Sequence, residues 1–167
     1  MKIIKNKNIF KIGKGKDTCI CITTNGKIKK DGRAVMGAGI ALKANKRYQL
    51  DEHLGEKLKK YGNHVFDLGC YGSGFHIATF PTKNHWRGKS SKKLIEQSAA
   101  ELVQLADKLK LTKVYLPKPG CQNGHLNWEE VKGIIEKHFD DRFIVIINDD
   151  TKVEEEDAQQ ETNDTTK

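Results

Sequence analysis

Apolar positions along this chain come in short segments whose spacing alternates between two residues and three or four. Thr18 to Thr24 (TCICITT) is β-branched and rich in cysteine, which predicts a buried strand that Asn25 and Gly26 terminate. Cys19 and Cys21 are two apart within it, so they share one face as reduced core residues. Ile40, Ala41, Ala44 and Tyr48 recur at helical spacing, and Leu50 to Lys60 continues as a second short, highly charged helix. His64 to Cys70 and Phe75 to Phe80 read as strands joined by a Tyr71 to Gly74 turn, hence a hairpin. Ser90 or Ser91 caps a long helix reaching about Lys110, with Leu94, Ile95, Ala99, Leu102, Val103, Ala106 and Leu109 on one stripe. Val114 to Leu116 is a short strand stopped by Pro117 and Pro119. Asn127 with Glu130 resembles a capping box ahead of Val131, Ile134, Ile135 and Phe139, and Phe143 to Ile147 is apolar throughout, as in a strand covered on both faces. Two shorter apolar runs, Ile3 to Ile4 and Ile9 to Ile12, precede the first strand.

Strands alternating with helices predict a layered α/β domain, its sheet mixed because the hairpin interrupts the parallel crossovers. Ligands in such sheets bind beyond the carboxyl ends of the strands. Three loops fall there: Asn25 to Gly39, Phe80 to Lys89, and Gly120 to Trp128.

Composition changes this picture at one end of the chain. The 167 residues suit one domain, and a mean hydropathy of −0.66 is polar for a folded protein. Residues 149–167 hold eight acids against two lysines, a net −6, which leaves +14 on residues 1–148 of the overall +8. The expected organisation is therefore a folded domain over residues 1–148 and an acidic, disordered tail over 149–167. A body of that charge attracts polyanions, nucleic acid among them, although 26 of the 30 basic residues are lysines that solvation alone accounts for. With no apolar run near the roughly 18 residues a membrane helix needs, the expectation is a cytoplasmic protein, monomeric and without membrane contact. Cys19, Cys21, Cys70 and Cys121 lack paired zinc spacing and the histidines are scattered, so no metal and no cofactor are expected.

Chemistry concentrates in the three loops. Met36-Gly37-Ala38-Gly39-Ile40-Ala41 directly precedes a helix, where backbone amides and the helix N-terminus favour a phosphate; close helix packing would use the same small residues. Phe80-Pro81-Thr82-Lys83-Asn84-His85-Trp86-Arg87 delivers an amine, an imidazole and an indole within a few positions of a strand end. An amine can neutralise an oxyanion or attack an electrophilic carbon, an imidazole can exchange protons, and an indole can stack on a base or sugar. The competing reading makes Trp86 a loop anchor and Lys83 a solvated side chain. Gly120-Cys121-Gln122-Asn123-Gly124 suits a second phosphate nest, or a plain turn into a capped helix.

Taken in order, VMGAGIALKANKRY, FPTKNHW and LPKPGCQNGHLNWEEVKGII resemble the macrodomain family, in particular its branch of DNA ADP-ribosyl glycohydrolases and the human terminal ADP-ribose protein glycohydrolase, over roughly Thr18 to Ile147. The resemblance implies a three-layer α/β/α fold around a mixed sheet and a cleft for ADP-ribose. It implies ligand contacts at Gly37, Ala38, Gly39, Ile40, Gly120, Cys121, Gln122, Asn123 and Gly124, with Lys83 as the catalytic lysine; beside these, Asn25, Met36 and Thr82 are expected ligand contacts and His85 an expected proton carrier. The human enzyme pairs that lysine with a second-loop aspartate; this chain has Gly124 there, and its N-G-x-L-x-W pattern agrees with the DNA-acting type. The stretch Gly26 to Arg33 is longer than in that type, and no adenine-contacting aspartate is assigned after the first strand. The implied activity is hydrolytic removal of ADP-ribose from a DNA base, a protein side chain or a phosphate, the last being an ADP-ribose 1″-phosphate phosphatase. The alternative is a module that binds ADP-ribose or a related NAD-derived nucleotide without turning it over.

Overall fold

A computed structural model describes residues 1–122 and 124–148 of the chain; Asn123 and the predicted acidic tail lie outside the described residues. The elements follow in the order β1 (Lys2–Lys5), α1 (Ile9–Ile12), β2 (Thr18–Asn25), α2 (Gly39–Tyr48), α3 (Asp51–Tyr61), β3 (Asp67–Tyr71), β4 (Phe75–Lys83), α4 (Lys92–Leu109), β5 (Lys113–Pro117), α5 (Trp128–Ile135) and β6 (Phe143–Ile147). The strands make one sheet in the order β1-β6-β5-β2-β4-β3. All pairs are parallel except the β3–β4 hairpin, so the sheet is mixed.

The two-residue period of β2 distributes the core between two helical layers. Cys19 and Cys21 point to one side, where Ala78 and Phe80 of β4, Val114 and Leu116 of β5, and Phe143 and Val145 of β6 meet the α4 and α5 side chains Ile95, Ala99, Leu102, Val131 and Ile135. Ile20 and Ile22 point to the other side and pack with Ile77, Ala41, Ala44, Leu50, Leu54 and Leu58, the apolar stripes of α2 and α3. The result is a three-layer α/β/α sandwich. Both cysteines of β2 are free and fully buried.

Helix ends follow the capping residues. The Ser91 hydroxyl accepts from the Leu94 amide at 3.2 Å and starts α4, while Asn127 accepts from the Glu129 amide at 2.9 Å and starts α5. Glu130 does not complete the expected box; its carboxylate pairs with Lys92 at 2.6 Å and ties α5 to α4.

Two strands differ from expectation. Lys2–Lys5 forms an edge strand parallel to β6, from a run with only two apolar residues. β4 does not stop before Pro81 but continues through it to Lys83. Pro81 shares the parity of Thr79, whose amide donates to Phe66 at 3.0 Å toward the β3 side, and β3 pairs no further along β4 than Ala78. The missing proline N–H therefore removes no ladder bond, and the Pro81 carbonyl accepts the buried Ser98 hydroxyl at 2.7 Å. This extension carries Lys83 to the carboxyl edge of the sheet.

Candidate functional site

The carboxyl ends of β2, β4 and β5 open together into a cavity of about 420 Å³. Thr23, Thr24 and Asn25 line it from β2, Thr82 and Lys83 from β4, and Pro117, Lys118, Gly120, Gln122 and Gly124 from the end of β5 and the loop beyond it. Residues 35–41 form the facing wall, and Trp86 and Ser90 complete it.

The facing wall is the start of α2. Its N-cap, Ala38, offers no side-chain oxygen, and its first turn holds no acidic residue. The first intrahelical bond runs from the Leu42 amide to the Ala38 carbonyl, so the amides of Gly39, Ile40 and Ala41 precede the helical ladder and line the cavity. Gly39 sits at φ +56°, a conformation that costs a side-chain-bearing residue strain. An uncapped helix start of this kind favours an anion.

The second wall is fitted to Ser90. A Cβ at Gly124 would overlap the Ser90 Oγ and come within 2.5 Å of the Gly120 carbonyl oxygen. Leu126 N donates to that same carbonyl at 2.9 Å, and Ser90 N donates to Gly124 O at 3.3 Å. Glycine is thus required at position 124 by space. The buried Ser90 hydroxyl has no hydrogen-bond partner among the described residues.

Polar ties hold the walls in register. Asn25 donates from Nδ2 to the Val35 carbonyl at 3.0 Å and accepts the Lys27 amide at 2.9 Å, so its side chain braces the first loop. Asn63 Nδ2 donates to the Lys83 carbonyl at 2.9 Å, and Ser91 N donates to the Thr82 carbonyl at 2.9 Å. Lys83 is thereby fixed through its backbone on both sides. Among the described lining residues there is no carboxylate; the charged ones are Lys83 and Lys118.

Of the sequence-predicted site residues, the cavity gathers Lys83, Asn25, Met36, Gly37, Ala38, Gly39, Ile40, Thr82, Gly120, Gln122 and Gly124. His85 is not among the lining residues. Its ring stacks on Trp86 with centroids 5.7 Å apart, and its Nδ1 accepts from the Arg87 amide at 3.1 Å. Cys121 also lies outside the lining; its thiol donates to the Pro119 carbonyl at 3.4 Å, and burial raises its pKa against a smaller opposing effect of Lys118. Asn123 is outside the described residues. Thr23, Thr24, Ser90 and Lys118 line the cavity without having been singled out as ligand contacts, although the end of a central strand and a lysine between two prolines are the places to look. Among the described residues, no cluster of three or more histidine, cysteine, aspartate or glutamate side chains is placed to hold a metal ion, and no helix is long and apolar enough to cross a membrane.

The segment and the fold that build this cavity match a known family. The macro domain model matches residues 31–135, more than half of the chain, and includes both glycine loops and Lys83. The DNA ADP-ribosyl glycohydrolase of Mycobacterium tuberculosis is 36% identical over 104 residues, 59% of this chain and 30% of that protein. The chain thus spans under a third of the length of that curated relative. The macrodomain of Mycobacterium tuberculosis DarG superposes with a TM-score of 0.66 at 26% identity, covering 87% of this chain and 97% of that one. Thermosipho africanus DarTG in complex with ADP-ribose has the same fold, with a TM-score of 0.69 at 18% identity over 90% of this chain and 42% of that one. On the matched segment, the motifs within it and the three-layer architecture, the chain belongs to the macrodomain family.

Proposed function

We propose that this domain binds ADP-ribose and hydrolyses the bond joining it to a DNA base, with Lys83 acting at the anomeric carbon of the distal ribose. The observation that carries this reading is the convergence of the α2 N-terminus, the wall of Gly120, Gln122 and Gly124, and Lys83 on one cavity. About 420 Å³ lies within the range of ordinary ligand pockets. The uncapped amides of α2 suit one end of a diphosphate, the wall packed on Ser90 suits the other, and the strand-borne lysine then faces the distal sugar. The name of the Mycobacterium tuberculosis relative, a DNA ADP-ribosyl glycohydrolase, supports DNA as the acceptor.

In the reaction, the bond between C1″ and the base breaks, its electron pair leaves with the base, the base gains a proton, and a water oxygen ends on C1″. Among the described residues no carboxylate lines the cavity to share the work with Lys83. The amine either attacks C1″ to form an adduct that water releases, or stabilises developing charge as an ammonium group. His85 has no part in this scheme, because it is not among the lining residues and its ring is stacked on Trp86.

The test is release of ADP-ribose from an ADP-ribosylated oligonucleotide by the wild type and by Lys83→Ala. The alanine variant should lose turnover and keep ADP-ribose affinity within roughly tenfold, since most diphosphate contacts come from backbone elsewhere. Arginine in place of Lys83 restores partial activity only if charge is all that is needed, and borohydride reduction followed by mass spectrometry detects an adduct if the amine attacks. Full turnover by Lys83→Ala would remove the catalytic assignment. No turnover by the wild type, with ADP-ribose still bound, would leave a binding module.

A further inference from the structure

The outer hairpin of the sheet, β3 and β4, brings three reactive side chains together away from the cavity. His76 lies near the start of β4, whose last residue is Lys83, roughly 20 Å farther along the strand. Its ring places Nδ1 3.2 and 3.3 Å from the two carboxylate oxygens of Asp67 on β3. Cys70 Sγ stands 3.7 Å from each nitrogen of the same ring, within reach of a sulfur hydrogen bond. The thiol is exposed, whereas the Asp67 and His76 side chains are only 28% and 14% exposed.

An irregularity of the edge strand builds this constellation. Asp67 registers with Ala78 and Cys70 with His76, so β3 carries one residue more than β4 between those pairs. In regular pairing residue 70 would oppose Phe75 and face the other side of the sheet from Asp67 and His76. The extra residue turns Cys70 to their side. Gly69 absorbs it at φ +103°, a conformation that strains any residue with a side chain, and its amide donates to Asp67 Oδ1 at 3.0 Å. The Tyr71 hydroxyl donates to the Leu68 carbonyl at 2.9 Å across the same bulge. Without the bulge, His76 and Asp67 would be an ordinary cross-strand pair.

A carboxylate only accepts, so the ring proton sits on Nδ1 and the lone pair on Nε2 is open to the Cys70 thiol. A nucleophile beside a base that a third group orients is the arrangement of covalent chemistry. Acyl transfer would also need donors for an oxyanion, whereas attack on a disulfide needs only a thiolate and access. We infer that Cys70 is a thiol–disulfide exchange site for small-molecule disulfides, with His76 taking the thiol proton and Asp67 holding the ring. The Cys70 proton passes to His76 Nε2, and the sulfur attacks one sulfur of the disulfide. A new S–S bond to Cys70 forms, the original S–S bond breaks, and the departing thiolate takes the proton from the imidazolium. Cys19 registers with His76 from the other side, on β2, so its Cα is two strand spacings from that of Cys70, about 10 Å. A disulfide spans at most about 7 Å between Cα atoms, so Cys19 cannot resolve the adduct and the mixed disulfide accumulates. The other ionisable neighbours are that buried Cys19 and Tyr71, whose hydroxyl pKa is raised by burial and then by the charges of Asp67 and Cys70.

The test is the rate at which oxidised glutathione modifies Cys70 in the reduced protein, read by quenching and peptide mass spectrometry. A free thiol is only a few per cent ionised at pH 7, so full proton transfer raises the thiolate about 30-fold. The lower nucleophilicity of a more readily ionised thiol offsets about half of that gain on a logarithmic scale. Folded Cys70 should therefore react roughly fivefold faster at pH 7 than the same cysteine in the urea-unfolded chain, whereas a merely structural contact would slow it. His76→Gln should bring the rate down to the unfolded value or below at pH 7, and should approach the wild type by about pH 9.5, where thiols ionise unaided. Asp67→Asn, which keeps an acceptor for the Gly69 amide, should give an intermediate rate, and Cys70→Ser should form no adduct at this position. All three variants should bind ADP-ribose in calorimetry as the wild type does, which shows that the fold is intact. A folded wild type reacting no faster than the unfolded chain, His76→Gln matching the wild type at pH 7, or an adduct that appears first on Cys121 would each overturn the assignment.

Discussion

At Gly124 space, and not chain conformation, dictates the residue, so the smallest possible addition is informative. A Cβ there would overlap Ser90 Oγ, approach Ser90 Cβ to 2.8 Å and meet the Gly120 carbonyl at 2.5 Å, all well inside ordinary contact. The Gly120 carbonyl cannot yield freely, because it accepts the Leu126 amide at 2.9 Å. Overpacking of this kind costs about 1 to 3 kcal/mol, which for a chain of this size is a Tm loss of about 2 to 12 °C. Gly124→Ala should therefore lower Tm by that amount in a thermal melt and weaken ADP-ribose in calorimetry, since the displaced wall lines the cavity. Ser90→Gly removes both offending serine atoms, so the double variant should recover part of the loss, with a coupling of about 1 kcal/mol. The Gly120 contact accounts for the remainder. A Gly124→Ala protein with Tm within about 1 °C of the wild type and equal affinity would refute the argument. The same reasoning says that Gly124→Asp does not convert this site into a lysine and aspartate pair: the carboxylate has nowhere to enter without moving Ser90.

Further outcomes follow from the thiols and from one surface ion pair. At pH 7.5 iodoacetamide should modify the exposed Cys70 first and Cys121 more slowly, because burial raises the Cys121 pKa; Cys19, raised by its neighbour Cys21 and by burial, and Cys21 should react only on unfolding, as read by peptide mass spectrometry. Hydrogen bonds from Arg142, which also reaches Asp107 at 2.7 Å, hold the Asp140 carboxyl below its ordinary range. A carboxylate depressed in the folded state adds stability above its unfolded pKa and loses it as pH falls through the folded pKa. Asp140→Asn should cost under about 1 kcal/mol at neutral pH, because the pair is exposed, and the two melting curves should converge progressively below about pH 4.

Elements were legible in the sequence where burial imposed a period. The stripe from Leu94 to Leu109 and the alternation through Cys19, Ile20, Cys21 and Ile22 each specify a partner layer, and those segments are the centre of the fold. Periodicity is silent where it has little to work on. Lys2–Lys5 becomes a strand because β6 offers it a free edge, and that depends on chain far away in sequence. Pro81 looked like a terminator because proline removes a donor; the strand continues because no strand lies opposite that donor. In both cases the deciding fact is a neighbour.

The site divides along the same line. Backbone features survive the passage from sequence to structure well, because a glycine-rich segment ahead of a helix places its amides wherever the helix starts; Gly37 to Ile40 all line the cavity. Side chains in a loop do not inherit a direction from their order. Lys83 lies on the last residue of a strand whose pleat, together with the Asn63 and Ser91 ties around it, sets where it points. His85, only two residues later, is past the strand end, and local contacts decide its direction: the Arg87 amide on one nitrogen and the Trp86 ring against its face. Two side chains close in sequence, an amine and an imidazole, thus take different places, one lining the cavity and the other outside its lining. A side chain that must be held in one place is better carried by the strand end, whose backbone is tied on both sides, than by the loop that leaves it.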